Sequence, residues 1–208
     1  MALRIPPGRA GRIWLVARLQ AARHGAELLD RKRQALAHRQ AQVHRDAEDA
    51  RRVWRTAAAQ ATLWSTRAAL LDGAARLELL AGHVQGEASL EVSVTNVMGA
   101  QLPVVGAVDV GQAPQLSALG ASSAAVIAAR ACAEATHAAA RCAAAERAEA
   151  ELASELARAS RRLRALEQRL IPQHEQALAR LDLTLDENQR EQAARVRWLT
   201  RRQEGDTL

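Results

Sequence analysis

Two long stretches of the chain, residues 10–81 and 120–203, repeat apolar side chains at helical spacing, while the segment between them follows a shorter period. In the first stretch Leu15, Leu19, Ala22, Ala26, Leu29, Arg33 and Leu36 step alternately by four and three, which is the seam of a coiled coil. The second repeats it at Leu152, Leu156, Ala159, Leu163, Leu166, Leu170 and Gln173. After Ile171 and Pro172 the step becomes four, through Ala177, Leu181 and Leu185, a shift away from a strict heptad. Pro172 lacks a backbone donor and predicts a kink, and the continuing apolar pattern predicts that the helix then resumes. Ala22, Gly25 and Ala26 would let another helix approach closely, which is a reason to tolerate the ~1 kcal/mol that Gly25 costs in helix propensity.

Between the arms Leu90, Val92 and Val94 alternate with Glu91, Ser93 and Thr95, the pattern of a half-buried strand. Gly99 then precedes a second apolar run, Leu102, Pro103, Val104 and Val105, so a β-hairpin is expected near residues 88–106. Met98, Gly99 and Pro103 are read as hairpin geometry. Gly106, Gly111, Pro114 and Gly120 are turn residues leading into the second arm. The expected fold is mainly α: a long antiparallel two-helix coiled coil of N- and C-terminal helices with a short central β-hairpin region. Its divisions are residues 1–81, 82–119 and 120–208. An arm of about 70 to 80 residues would measure roughly 105 to 120 Å.

Composition supports thin helix pairs over a deep core. Hydrophobic residues make up 49% of the chain, but nearly half of them are Ala, and with no Phe, no Tyr and four Trp there is little aromatic bulk to fill a globular interior. Charge divides by position. Residues 1–60 hold 13 basic and 5 acidic groups, residues 61–157 hold 5 and 10, and residues 158–208 hold 11 and 8. Folding the chain back would join two basic ends into one positive tip, with an acidic region toward the turn. The acidic stretch 146–155 is read as a solvated face.

Little in the sequence points to chemistry. There is no phosphate-cradling glycine loop and no zinc-binding histidine pair, so no cofactor or metal ligand is assigned. His38 and His44 fall on different faces of a helix and read as exposed. Asp182 and Asp186 share a face and sit beside Glu187, yet with no pocket to raise a carboxylate pKa they read as solvated, and no catalytic residue is assigned. Cys132 and Cys142 point some 80° apart on a helix, with His137 elsewhere again, and read as small buried residues. Trp14, Trp54, Trp64 and Trp198 read as packing or contact residues. No apolar run is long enough to span a bilayer, and the N-terminal residues lack the apolar core of a secretory signal. The basic runs at Arg31-Lys32-Arg33, Arg51-Arg52, Arg161-Arg162 and Arg201-Arg202 raise nucleic-acid binding, against which stand interleaved acidic residues and a modest net charge of +6.

Three segments, in order along the chain, resemble the D subunit of the rotary V-type ATPases, including the archaeal and bacterial V/A-type ATP synthases. Ala22, Gly25, Leu28, Leu29, Lys32, Arg33 and Leu36 match the family's A-x-x-G-x-x-L-L-K-x-K-R-x-x-L stretch, with Asp30 where Lys is usual. Asn96, Met98, Gly99 and Pro103 match its N-x-M-G-x-x-x-P segment. Arg161, Arg162, Ala165, Leu166, Glu167, Ile171, Pro172, Leu185, Glu187, Arg190 and Glu191 are similar to its R-R-V-N-A-L-E…I-P…L-x-E-x-E-R-E end, with Arg164 replacing the usual Asn.

The resemblance implies a central-stalk rotor protein, non-catalytic, peripheral on the cytoplasmic side of a membrane, coupling ATP turnover to rotation and proton transport. Its implied partners are the catalytic A and B subunits, the F subunit and the connecting subunit of the membrane rotor. No nucleic acid and no direct membrane insertion are implied. Arg4, Arg9, Arg12, Arg195, Arg197, Arg201 and Arg202 are the expected tip that engages the ring. A self-assembling coiled-coil scaffold at a membrane surface, or a nucleic-acid-binding protein, is the alternative.

Overall fold

The computed structural model describes residues 5–83, 88–110 and 120–205, except the side chains of residue 200 and of residues 202–205. The element order is α1 (Gly8–Asp72), α2 (Ala74–Ala81), β1 (Ser89–Val97), β2 (Ala100–Asp109), α3 (Ser123–Ala165), a π-helical turn (Leu166–Leu170) and α4 (Ile171–Gly205). The fold is mainly helical, with long N- and C-terminal helices and a two-stranded antiparallel sheet in the middle. By internal contacts the chain forms two units, one of Met1–Arg33 with Arg158–Leu208 and one of Gln34–Ala157. The turn residues Gly111 and Pro114 lie outside the described residues.

In the first unit α1 runs antiparallel to α4. Arg12 bonds Asp182 at 2.8 Å and Arg23 bonds Glu175 at 2.7 Å, so advance along one helix is retreat along the other. Leu15, Leu19, Ala22 and Ala26 are buried on the α1 side and Ala159 and Leu163 on the facing side. The heptad does not continue as the sequence spacing suggests. Leu170 is 37% exposed and Gln173 is exposed, whereas His174 is 4% exposed and Ile171, Leu178, Leu181 and Leu185 are half-buried.

The π turn is the cause. The Ile171 N–H bonds the Leu166 carbonyl, five residues back, so this turn holds one residue more than an α turn and moves the seam on by one position. Pro172 explains why the extra residue sits here. In a regular α-helix its ring would collide with the carbonyl four residues earlier, and a widened turn gives that carbonyl room.

Gly25 also departs from expectation. A Cβ added there would meet only Leu166 Cδ1, at 3.9 Å, which is ordinary van der Waals contact. Space does not demand glycine at this position.

In the second unit the rest of α1 pairs antiparallel with α3. His44 meets Glu149 at 2.6 Å, the Arg51 Nε donates to Glu146 at 2.8 Å, and Ser65 Oγ lies 3.6 Å from Cys132 Sγ. The buried positions Leu36, Val43, Ala47, Ala61 and Ala68 keep the alternating step of four and three. So do Ala124, Ala128, Ala131, Cys142 and Leu152 on α3. Most seam positions are Ala, so the helices meet through short side chains and close backbones.

The predicted first arm is two helices in the structure. Gly73 has φ +83°, a left-handed conformation that residues with a Cβ avoid, and it turns α2 away from α1. Leu80 of α2 then closes a small cluster with Ala68, Ala124, Ala125 and Ala128, against which Trp64 and Leu77 pack. At this end Ser122 caps α3. Its Oγ accepts the Ala125 N–H at 3.2 Å and donates to Asp72 Oδ2 at 2.6 Å, and its N–H reaches the same oxygen.

The hairpin lies where the alternation predicts. Val97 pairs with Ala100, and Met98 (φ 53°) with Gly99 (φ 90°) forms a two-residue loop with both φ values positive, the sense that matches strand twist. The Asn96 side chain accepts the Gly99 N–H at 2.9 Å. Pro103 lies in β2 opposite Val94, and a bulge interrupts the register between Leu90 and Val92. The buried face differs from the expected one. Leu90, Val92 and Val94 are about half exposed, while Ala100 and Leu102, paired with Val97 and Thr95 on the other face, are buried.

Three substitutions check this packing by chemical denaturation. Leu152, fully buried, should lose about 2 to 5 kcal/mol of stability on replacement by Ala, and Leu170→Ala, outside the seam, under about 1 kcal/mol. Gly25→Ala should raise stability by up to about 1 kcal/mol, since the space is open and the helix gains propensity.

Candidate partner-binding surfaces

Two concavities of the first unit are open grooves. One runs beside Ile5, Pro6 and Pro7 against Gln173, Ala177 and Leu181 of α4, and another is lined by Trp14, Arg18, Ala22, Leu170 and His174. His174 is buried there with its Nδ1 2.8 Å from the Leu170 carbonyl, a bond that ties the displaced residue to the turn after it. Arg18 lies over the Trp14 ring at 5.3 Å, and in the second unit Arg67 lies over Trp64 at 4.6 Å. Trp54 and Trp198 are exposed. Among the described residues no group of His, Cys, Asp or Glu could hold a metal ion.

The expected basic tip is spread along the first unit. Arg4 lies outside the described residues, as does the side chain of Arg202. Arg9 is exposed and Arg12 is committed to Asp182. On α4 Arg195 reaches Glu191 at 3.5 Å, the Arg197 Nε donates to the Ala193 carbonyl, and Arg201 is exposed. The partner of Arg12 precedes Arg195 by a dozen or so residues, roughly 20 Å of helix, so these arginines occupy two levels. The reason is length. α4 continues beyond the level where α1 begins, and from Asp186 to Leu199 every residue is exposed.

Of the expected seam residues, Leu15, Leu19, Leu36 and Leu163 are buried, Leu29, Leu156 and Leu166 are half-buried, and Leu170 is displaced by the π turn. Asp182 is paired with Arg12, and Glu187 lies 3.7 Å from Arg190.

The acidic stretch of α3 does more than face solvent. Glu146 and Glu149 bridge to α1, and Arg51 also engages Glu48 on its own helix. The hydrogen bond from Arg51 to Glu146 is the main cause holding that guanidinium above its ordinary pKa, so it stays charged. No charge pattern in a single helix could have revealed these pairs, because they depend on the register between two helices.

The cysteines differ in environment. Cys142 is buried, and desolvation, reinforced by the nearby Glu146, pushes its thiol pKa up and keeps it neutral. Cys132 is exposed, contrary to the expectation that both are buried, because its position turns toward the rim of the pair beside Ser65.

A mainly helical protein with charged antiparallel helix pairs and a small hairpin is thus defined. The family model described as the ATP synthase D subunit matches residues 13–201. Among relatives, the chain is 27% identical over 198 residues to the A-type ATP synthase D subunit of Pyrococcus furiosus, covering 94% of this chain and 92% of that protein. It is 32% identical over 194 residues to the V-type ATP synthase D subunit of Anaeromyxobacter dehalogenans, covering 91% and 92%. The chain belongs to the ATP synthase D-subunit family, whose members are components of V/A-type ATP-synthase complexes. No helix among the described residues is long and apolar enough to cross a membrane.

Iodoacetamide at pH 8.5 should alkylate Cys132 at least about tenfold faster than Cys142, as read by mass spectrometry of the native protein. Equal rates would show that the α1–α3 pair opens freely at Cys142.

Proposed function

We propose that this protein is the central-stalk rotor of its complex, a non-catalytic part that couples ATP turnover in a ring of A and B subunits to rotation of the membrane rotor and proton transport. The observation that carries the reading is the use of the side chains. In each unit the seam is consumed in pairing α1 with its antiparallel neighbour, and the remaining faces are exposed, carrying most of the charged residues together with apolar ones such as Ile13, Leu183 and Val196. Such an element supplies stiffness and surface. Paired helices resist bending and twisting better than one helix does, and contacts that differ around the pair bias each member of the ring toward a different conformation as the pair turns.

The uncovered end of α4 is the segment this reading seats in the ring. From Asp186 to Leu199 it is exposed, and alternating charges such as Glu191 and Arg195 support it as a helix. Arg9, Arg12, Arg195, Arg197 and Arg201, together with Arg4 and Arg202, contact the ring in this scheme. The exposed apolar stripe of the hairpin, Leu90, Val92 and Val94, faces the other partners, the F subunit and the connecting subunit. The protein would act on the cytoplasmic side of a membrane, held there by its complex.

Co-expression with the neighbouring ATPase subunits, followed by native mass spectrometry, tests the proposal. One copy bound to a six-membered ring is the expected result. Exclusive homo-oligomers would overturn it in favour of a coiled-coil scaffold.

A further inference from the structure

Two of the basic runs that first suggested nucleic acid, those at Arg31-Lys32-Arg33 and Arg161-Arg162, converge at one level of the first unit. Residues 31–33 and 158–169 together carry eight basic groups and one acidic, Glu167. The antiparallel register brings them level. Arg23 meets Glu175, and Gly25 faces the Leu166 side chain, so continuing along α1 to Arg31 reaches the Arg161–Arg164 stretch to within about one turn.

The directions of these groups matter more than their number. On α1 the seam passes through Leu29 and Arg33, and Arg31, at 100° per residue, points almost directly away from the partner helix. On α3 the seam passes through Ala159 and Leu163, and Arg161 likewise points away. Arg162 and Arg164 project to the two flanks. All four are exposed. Arg33 is occupied by Asp30 at 2.7 Å, whereas Arg31, Arg161 and Arg162 have no carboxylate of the described residues within ion-pair distance.

We propose that Arg31, Arg161, Arg162 and Arg164 form an all-round cationic belt that seats in a carboxylate-lined protein sleeve, a collar of the catalytic ring. This rests on the rotor reading and assigns a ring contact separate from the tip arginines. A nucleic-acid strand or a flat membrane would reach one side of the pair and leave Arg31 or Arg161 facing water. Only a partner that surrounds the helices neutralises opposite faces together. A belt presents the same charge at every angle. It therefore works as a bearing that centres the pair, and angle-dependent contacts elsewhere carry the torque.

The test titrates the assembled hexameric A/B ring of the same organism with the full chain, at low and high salt. The fourfold variant R31Q/R161Q/R162Q/R164Q should bind at least about tenfold more weakly at low salt, with a shallower salt dependence and an unchanged melting curve. R31Q and R161Q alone should weaken binding by similar factors, since neither face is privileged. If the wild-type chain fails to bind the ring, the rotor reading fails. If it binds and the fourfold variant binds equally well with the same salt dependence, the belt alone fails. One silent single variant beside a damaging one would reduce the belt to a one-sided patch and overturn the bearing. So would tighter arginine-dependent binding to a single-stranded oligonucleotide or to phosphatidylglycerol vesicles than to the ring.

Discussion

The constraint on which the structure depends is the close meeting of two helices through short side chains. With no Phe or Tyr, each unit gains stability along a narrow seam, in which Leu15, Leu36 and Leu152 are fully buried and alanines fill most other places. A seam of this kind has no spare width. Burial is reached only if both helices keep phase, so helix length, capping and charge pairing all serve register. The bridges from Arg12, Arg23, His44 and Arg51 to the opposite helix act in that sense. Exposed as they are, each adds little stability, but together they penalise a slip along the axis.

How much could be read from residue order follows from the range of each interaction. The heptads at Leu15–Leu36 and from Leu152 to Leu166 are local, and so is the hairpin, where Asn96, Met98 and Gly99 specify the loop by themselves. The break at Gly73 left a weaker trace, the Asp-Gly pair at its end, because an isolated glycine is compatible with a continuous helix until tertiary packing bends it. The π turn left two traces, Pro172 and the change of step beyond it. What these could not disclose was that one residue is looped out, so that Leu170 leaves the seam and His174 enters it.

The misassigned hairpin face has a similar origin. Alternation identifies a strand and its two faces, but the choice of the inner one belongs to whatever covers it. The more apolar face of β1, Leu90, Val92 and Val94, is exposed, and the buried residues of the hairpin are Ala100 and Leu102 of β2, on the other face. The tip arginines teach the same lesson at longer range. Charge counts place them at the chain ends, while their separation is set by where α1 begins against α4.

That exposed valine face bears on how a cell must make the protein. A two-stranded sheet with apolar side chains in water, whose outer edges pair with no further strand among the described residues, is a template for pairing with another copy. While the chain is alone, that surface is a route to aggregates. Its supply must therefore be matched to whatever covers the hairpin: synthesis in excess would convert a soluble surplus of charged helix into insoluble waste, and the order in which the components of the complex are produced becomes part of the folding problem.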